Sequence, residues 1–166
     1  MSASSPATDG ILAPAKINLN LKIVGRREDG YHLLDSMVVF TAFGDRILVQ
    51  PSPQDSITID GPFGGMLNEP PSENICAKAL TMFRLAGGRI GPLAIHIRKD
   101  IPVGAGLGGG SSNAAALLGW LQENADGAVP DVSLSEIALS LGADVPACLA
   151  GRALQMTGIG ETITLM

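Results

Sequence analysis

Cysteine and histidine are scarce in this chain, with two of each in 166 residues. Cys76 and Cys148 stand far apart without metal-ligand spacing, which argues against a zinc centre. They read instead as buried, reduced thiols, and the compartment reads as the cytoplasm. Basic clusters are also missing: no run of Lys or Arg exceeds two residues, and formal net charge is −5. Nonspecific nucleic-acid binding needs a basic footprint, so that class falls away. A local positive pocket for an anion is untouched by the same argument. No stretch has the roughly 18 uninterrupted apolar residues of a membrane span. Residues 1–10 are Ser/Ala-rich and polar, without the basic start and apolar core of a signal peptide. They are expected to form a disordered tail, ahead of one domain over residues 11–166.

Glycine, by contrast, is abundant, and its placement is informative. Ile101-Pro-Val-Gly-Ala-Gly-Leu-Gly-Gly-Gly-Ser-Ser-Asn113 holds five glycines between Gly104 and Gly110. Ser111, Ser112 and Asn113 follow at once, and then an alanine-rich apolar run from Ala114 to Leu121. The order describes a loop entering the start of a helix. Such a place presents unpaired backbone N–H groups and the positive end of the helix dipole, and its natural guest is a phosphate. The Walker A pattern is excluded, because the loop lacks a lysine after Gly104. Gly104, Gly106 and Gly109 match G-x-G-x-x-G. The Rossmann context fails, however, since Glu123 to Pro130 is turn-like where a second strand should stand. A plain glycine linker is the other reading, weakened because linkers rarely run straight into an apolar helix.

Along the chain, Ala15 to Ile23 alternates strictly, with Ala15, Ile17, Leu19, Leu21 and Ile23 on one face. That pattern predicts a half-buried strand with Lys16, Asn18, Asn20 and Lys22 facing solvent. Asp29-Gly30 marks a turn. Strands are expected over 33–43, 46–50 and 56–60, making a β-rich, antiparallel, meandering first third. Ser72 is expected to cap a helix near Glu73 to Leu85, stopped by Gly87-Gly88. Leu93 to Lys99 alternates again, with His96 on the outer face and no function to assign to it. Ser133-Leu-Ser-Glu136 has capping-box spacing and should open a short helix to Leu141. Strands over 153–157 and 162–166 flank a Gly158-Ile-Gly160 turn. The class is α+β, with helices packed on a mixed or antiparallel sheet. The strand-like ending at Met166 reads as that of a fragment.

Three segments carry a resemblance: Pro14-Ala-Lys-Ile-Asn-Leu-Asn20 with Asp29-Gly-Tyr-His32, the loop from Pro102 to Asn113, and Gly142-Ala-Asp-Val-Pro146. In this order they resemble the GHMP small-molecule kinase superfamily, and within it the kinases of 4-diphosphocytidyl-2-C-methyl-D-erythritol. The resemblance runs from about Ala13 to the end and implies the GHMP N-terminal domain. It also implies a further C-terminal domain that this chain does not carry.

What it implies for the residues is specific. The reaction would move the ATP γ-phosphoryl group to a hydroxyl of the methylerythritol moiety, in isoprenoid precursor synthesis by the non-mevalonate route. Asp144 would accept the hydroxyl proton and Lys16 would be its cation, together the catalytic pair. From the residues alone, Asp144 could equally cap the next turn, and Lys16 would be a solvent-facing strand lysine. Asn18 would hold the acceptor, with Asn20 a weaker candidate. Tyr31, the chain's one tyrosine, and His32 would bind the cytidine part by stacking and hydrogen bonding. Packing for Tyr31 and a surface place for His32 are the plain alternatives. Pro102, Gly104, Gly106, Leu107, Gly108, Gly109 and Gly110 would cradle ATP, with Ser111, Ser112 and Asn113 adding side-chain bonds. Mg2+ is expected with ATP, but its protein ligands are unassigned. Trp120 reads as core packing. The alternative from another class is a phosphate- or nucleotide-binding module without catalysis.

Overall fold

The computed structural model describes residues 10–160 and 162–166; the expected tail over 1–10 falls outside them except for Gly10. Strand β1 (Ile11–Asn18) and strand β2 (Lys22–Arg26) stand where one continuous strand was expected. Between them the chain steps out of the ladder and is stapled to the next strand. Asn20 Oδ1 accepts from the Met37 N–H at 2.6 Å, and its carbonyl accepts from Ser36 Oγ at 2.6 Å. Asn20 is thus engaged in holding strands together.

The opposite correction applies next. Two strands were expected over 33–50, but β3 (His32–Pro51) runs unbroken through both. Its pairing with β1 slips where Pro14 faces Gly44 and Lys16 faces Phe40. This bulge brings two consecutive residues, Ala15 and Lys16, inward, at 3% and 4% exposure. The expected apolar inward face therefore ends at Ala15. Ile17, Leu19, Leu21 and Ile23 are exposed, and Lys16 is buried. Gly44 makes the bulge possible, because a Cβ there would lie 2.1 Å from the Ala13 carbonyl oxygen.

β4 (Ser56–Asp60) and β5 (Leu93–Arg98) are parallel and are joined across helix α1 (Ile75–Leu85), so the meander expectation fails here. Parallel neighbours need such a crossover. Asn74, not Ser72, caps α1, its Oδ1 accepting from the Cys76 N–H at 2.9 Å; Ser72 lies in a preceding 3-10 turn. Helix α2 (Gly109–Asn124) follows the glycine loop as expected. Helix α3 (Asp131–Leu141) begins ahead of Ser133, so the capping-box spacing is not used. Helix α4 (Val145–Ala150) had no counterpart in the sequence reading. β6 (Leu154–Gly158) and β7 (Thr162–Leu165) form the expected hairpin.

The described strands make one mixed sheet in the order β4-β5-β3-β6-β7, with β1 and β2 also paired to β3. Helix α2 packs on β1 and β3 and against the other three helices. Ile47, Ile95 and Ile97 of the sheet meet Phe83 of α1 and Leu117, Leu118 and Leu121 of α2, all fully buried. Each such side chain contributes roughly 1.5–3 kcal/mol. The class is α+β, and no described helix is long and apolar enough to cross a membrane. His96 bridges the outer strands, bonding Thr58 Oγ1 at 2.9 Å and pairing with Asp60 at 3.2 Å.

Candidate active site

The glycine loop is a wall of backbone. Gly104, Gly106 and Gly108 have φ of +74°, +74° and +66°, while no described non-glycine residue has positive φ. The sign of φ thus alternates from 104 to 108, the pattern of a backbone nest whose N–H groups converge on an anion. Gly108 stands at the N-cap position of α2 without a capping side chain. The first bond of that helix runs from Ser112 N to Gly108 O at 2.8 Å. The N–H groups of Gly109, Gly110 and Ser111 precede it and have no partner in the helix. No acidic side chain occupies this first turn, so the positive end of the dipole is uncompensated.

The loop borders a cavity of about 400 Å3, lined also by Leu67, Asn74 and Ile75 opposite it. Pro102, Gly104, Gly106, Leu107, Gly108, Gly109, Gly110, Ser111 and Asn113 all line it. Ser112 does not; it is buried and borders a separate groove of about 540 Å3 on another side of α2, with Trp120. Trp120 also packs against the core, as expected. Neither Lys16 nor Asp144 is among the residues lining the groove or the loop cavity.

Lys16 is fastened to this loop. Its N–H donates to the Leu107 carbonyl at 2.8 Å, and a Cβ on Gly108 would lie 3.2 Å from the Lys16 Cβ. Its Nζ pairs with Asp144 Oδ1 at 2.8 Å, the lysine side chain 5% exposed and the carboxylate 38%. Asp144 holds the N-cap position of α4 but makes no side-chain capping bond. The capping alternative is therefore not the one adopted. The buried ammonium thus engages one oxygen of a carboxylate whose side chain is itself partly exposed. The turn before Asp144 abuts α2, since a Cβ on Gly142 would reach within 4.0 Å of Ser111 Oγ.

Behind the loop lies a cluster that the sequence reading missed. Asp45 is fully buried. One of its oxygens accepts from the N–H groups of Asp100 and Ile101, both at 2.8 Å. The other accepts from Lys99 Nζ and, at 2.9 Å, from Asn113 Nδ2. Lys99 Nζ also donates to Asn113 Oδ1 at 3.0 Å. The Asn113 amide is thus committed to its neighbours at both ends, and of the three expected side-chain donors Ser111 remains at the cavity. The available signal was slight: an aspartate directly after a glycine, ahead of the apolar run Ile47 to Val49.

The expected acceptor residues are not gathered at the loop. Asn18 is exposed on β1, two residues beyond Lys16. Tyr31 and His32 are exposed at the turn between β2 and β3. The turn is well knit: Arg27 N donates to Tyr31 O at 2.7 Å, and Tyr31 N to Asp29 Oδ1 at 3.3 Å. Lys16 pairs with Phe40 on β3. Eight residues of strand separate that level from His32, at most roughly 26 Å along the chain. No described cluster of three His, Cys, Asp or Glu side chains could hold a metal.

The family profile described as GHMP kinases N terminal domain matches residues 74–152. The 4-diphosphocytidyl-2-C-methyl-D-erythritol kinase of Agrobacterium fabrum is 47% identical over 165 residues, covering 96% of this chain and 55% of the relative. Its namesake from Paramagnetospirillum magneticum is 46% identical, covering 92% and 53%. A crystal structure of 4-(cytidine 5'-diphospho)-2C-methyl-D-erythritol kinase superposes with a TM-score of 0.77 at 40% identity, over 93% of this chain and 54% of that one. Homoserine kinase from Cytophaga hutchinsonii shares the fold, with a TM-score of 0.61 at 19% identity, over 100% of this chain and 54% of that one. The chain spans about half the length of the curated relatives it matches. It belongs to the GHMP kinases and carries their N-terminal domain, in the form shared with the 4-diphosphocytidyl-2-C-methyl-D-erythritol kinases.

Proposed function

We propose that residues 11–166 form the nucleotide-binding and proton-accepting domain of a cytoplasmic kinase. It phosphorylates the 2-hydroxyl of 4-diphosphocytidyl-2-C-methyl-D-erythritol with ATP, in isoprenoid precursor synthesis. The observation that carries this reading is the Lys16–Asp144 pair, 2.8 Å apart and tied through the Lys16 backbone to the glycine loop. In the reaction, the acceptor oxygen bonds to the γ-phosphorus, the bond to the ADP oxygen breaks, and the hydroxyl proton passes to Asp144. Lys16, 2.8 Å away, holds that carboxylate in place. The loop N–H groups neutralise and align the phosphates, which is most of what phosphoryl transfer asks of a protein. Asn18, Tyr31 and His32 hold the acceptor, the last two at its cytidine end. Mg2+ would neutralise phosphate charge when bound with the nucleotide, and Ser111, a hydroxyl-bearing residue that lines the loop cavity, would hold it.

Asp144→Asn tests the reading. The variant should bind ATP as the unsubstituted chain does, while acceptor-dependent ADP release falls at least a hundredfold. Turnover within twofold of the unsubstituted chain would remove Asp144 from the proton-accepting role. A second reading is favoured by the lining of the loop cavity, which includes neither Lys16 nor Asp144: a nucleotide-binding module without transfer. It gives ATP binding by the unsubstituted chain and no ADP release at any enzyme concentration.

A further inference from the structure

The cluster behind the glycine loop contains a group that no step above uses. Lys99 is 3% exposed. Its ammonium has three N–H donors, and two are taken by Asp45 and Asn113. The third has no partner among the described residues. The side chain also lines the loop cavity, whereas Asp45 does not. Its Nζ would lie 3.2 Å from a Cβ on Gly109, just under the first turn of α2. The ion pair is therefore oriented, with its anionic end deep and its cationic end toward the loop.

Such an arrangement is costly unless it is used or fully satisfied. Desolvating two charges often offsets their attraction, and an apolar pair of similar size is commonly as stable. Here the carboxylate is fully satisfied, by four donors. The ammonium is the incomplete partner, and it belongs to a residue that lines the cavity. Glu69 lines the same cavity and is engaged by the Asn74 amide at 3.2 Å.

We infer that Lys99 is a phosphate-binding residue of this site, its third N–H donating to the polyphosphate of a nucleotide seated on the loop, with Asp45 and Asn113 as its positioning residues. The inference rests on the loop being a nucleotide site, as proposed above. A fixed ammonium adds a charge-assisted hydrogen bond to a cradle otherwise made of backbone N–H groups. It supplies the cation that the absence of a lysine after Gly104 denies the loop itself.

The test is calorimetric titration of the 166-residue chain with ATP and with adenosine, beside thermal melting. The informative variant is the double substitution Asp45→Asn with Lys99→Met. It removes both charges together; the new carbonyl keeps accepting from Asp100 and Ile101, and the new amide faces Asn113 turned over. ATP affinity should fall at least tenfold, adenosine affinity should stay within twofold, and the melting transition should persist. Unchanged ATP affinity would overturn the inference. Equal losses for ATP and adenosine would overturn it too, by assigning the cluster a purely structural role. If the double variant does not fold, Lys99→Gln, whose amide still donates to Asp45, is read against the same two outcomes. Failure of the unsubstituted chain to bind ATP would instead defeat the nucleotide-site reading, and this inference with it.

Discussion

Lys16 is the residue whose surroundings depart furthest from its sequence context. Within a strictly alternating run it occupies the polar face, and period-2 logic sends it to water. The bulge opposite Gly44 breaks that logic and buries it against Asp144. Bulges arise from the fit of two strands, and one strand's pattern does not contain them. Motif resemblance singled out Lys16 and Asp144, whereas the residue pattern alone did not. The cysteines were legible, because small apolar residues within apolar runs are usually buried. Burial pushes Cys76 from its ordinary 9.0 up to about 12. Burial, and then the Asp144 charge, do the same to Cys148, also to about 12. Both thiols ionise near 9.0 in the unfolded chain and stay protonated in the folded one. Their contribution to stability is therefore full below pH 9.0 and is lost as pH climbs toward 12. A disulfide reagent at pH 8 should leave both thiols of the native chain unmodified and titrate both in denaturant. Rapid native labelling of either would contradict their burial.

At the scale of elements, amphipathic and glycine-bounded segments were readable, and tertiary caps were not. Helix α2 begins where the loop ends, and β5 buries Leu93, Ile95 and Ile97 as its alternation requires. The start of α1 was misplaced because both Ser72 and Asn74 are cap-forming types. The 3-10 turn at Pro71–Glu73 moves the cap two residues on. Asn74→Ala should cost about 1 kcal/mol in urea unfolding, while Ser72→Ala should stay within about 0.5 kcal/mol. The reverse ranking would restore Ser72 as the cap. Helix α4 escaped the sequence reading because six residues with a proline inside carry too little periodicity to register. β4 was recognised as a strand, but its parallel pairing depends on where α1 carries the chain. Asp45 and Lys99 went unread for a similar reason: each looks like an ordinary surface charge until the sheet and α2 close over them.

For the molecule as a whole, one departure from a soluble-domain pattern is the apolar run through β2 and the link before it. Leu19, Leu21, Ile23 and Val24 are 59%, 59%, 63% and 61% exposed. A contiguous apolar strip of this kind favours association. Sedimentation should show concentration-dependent self-association that Leu21→Lys with Ile23→Lys abolishes. A monomer at all concentrations would mean the strip is tolerated by water. β3 has its own consequence for how the chain is made. Val38 is flanked by Asn18 on one side and by Leu154 on the other, so the sheet cannot close until nearly the whole sequence is present. During synthesis the first half of β3 stays an open, sticky edge while α1, α2 and α3 emerge and dock. Distant pairing of this sort is slow, and the interval before β6 arrives is when a nascent chain is most vulnerable to aggregation.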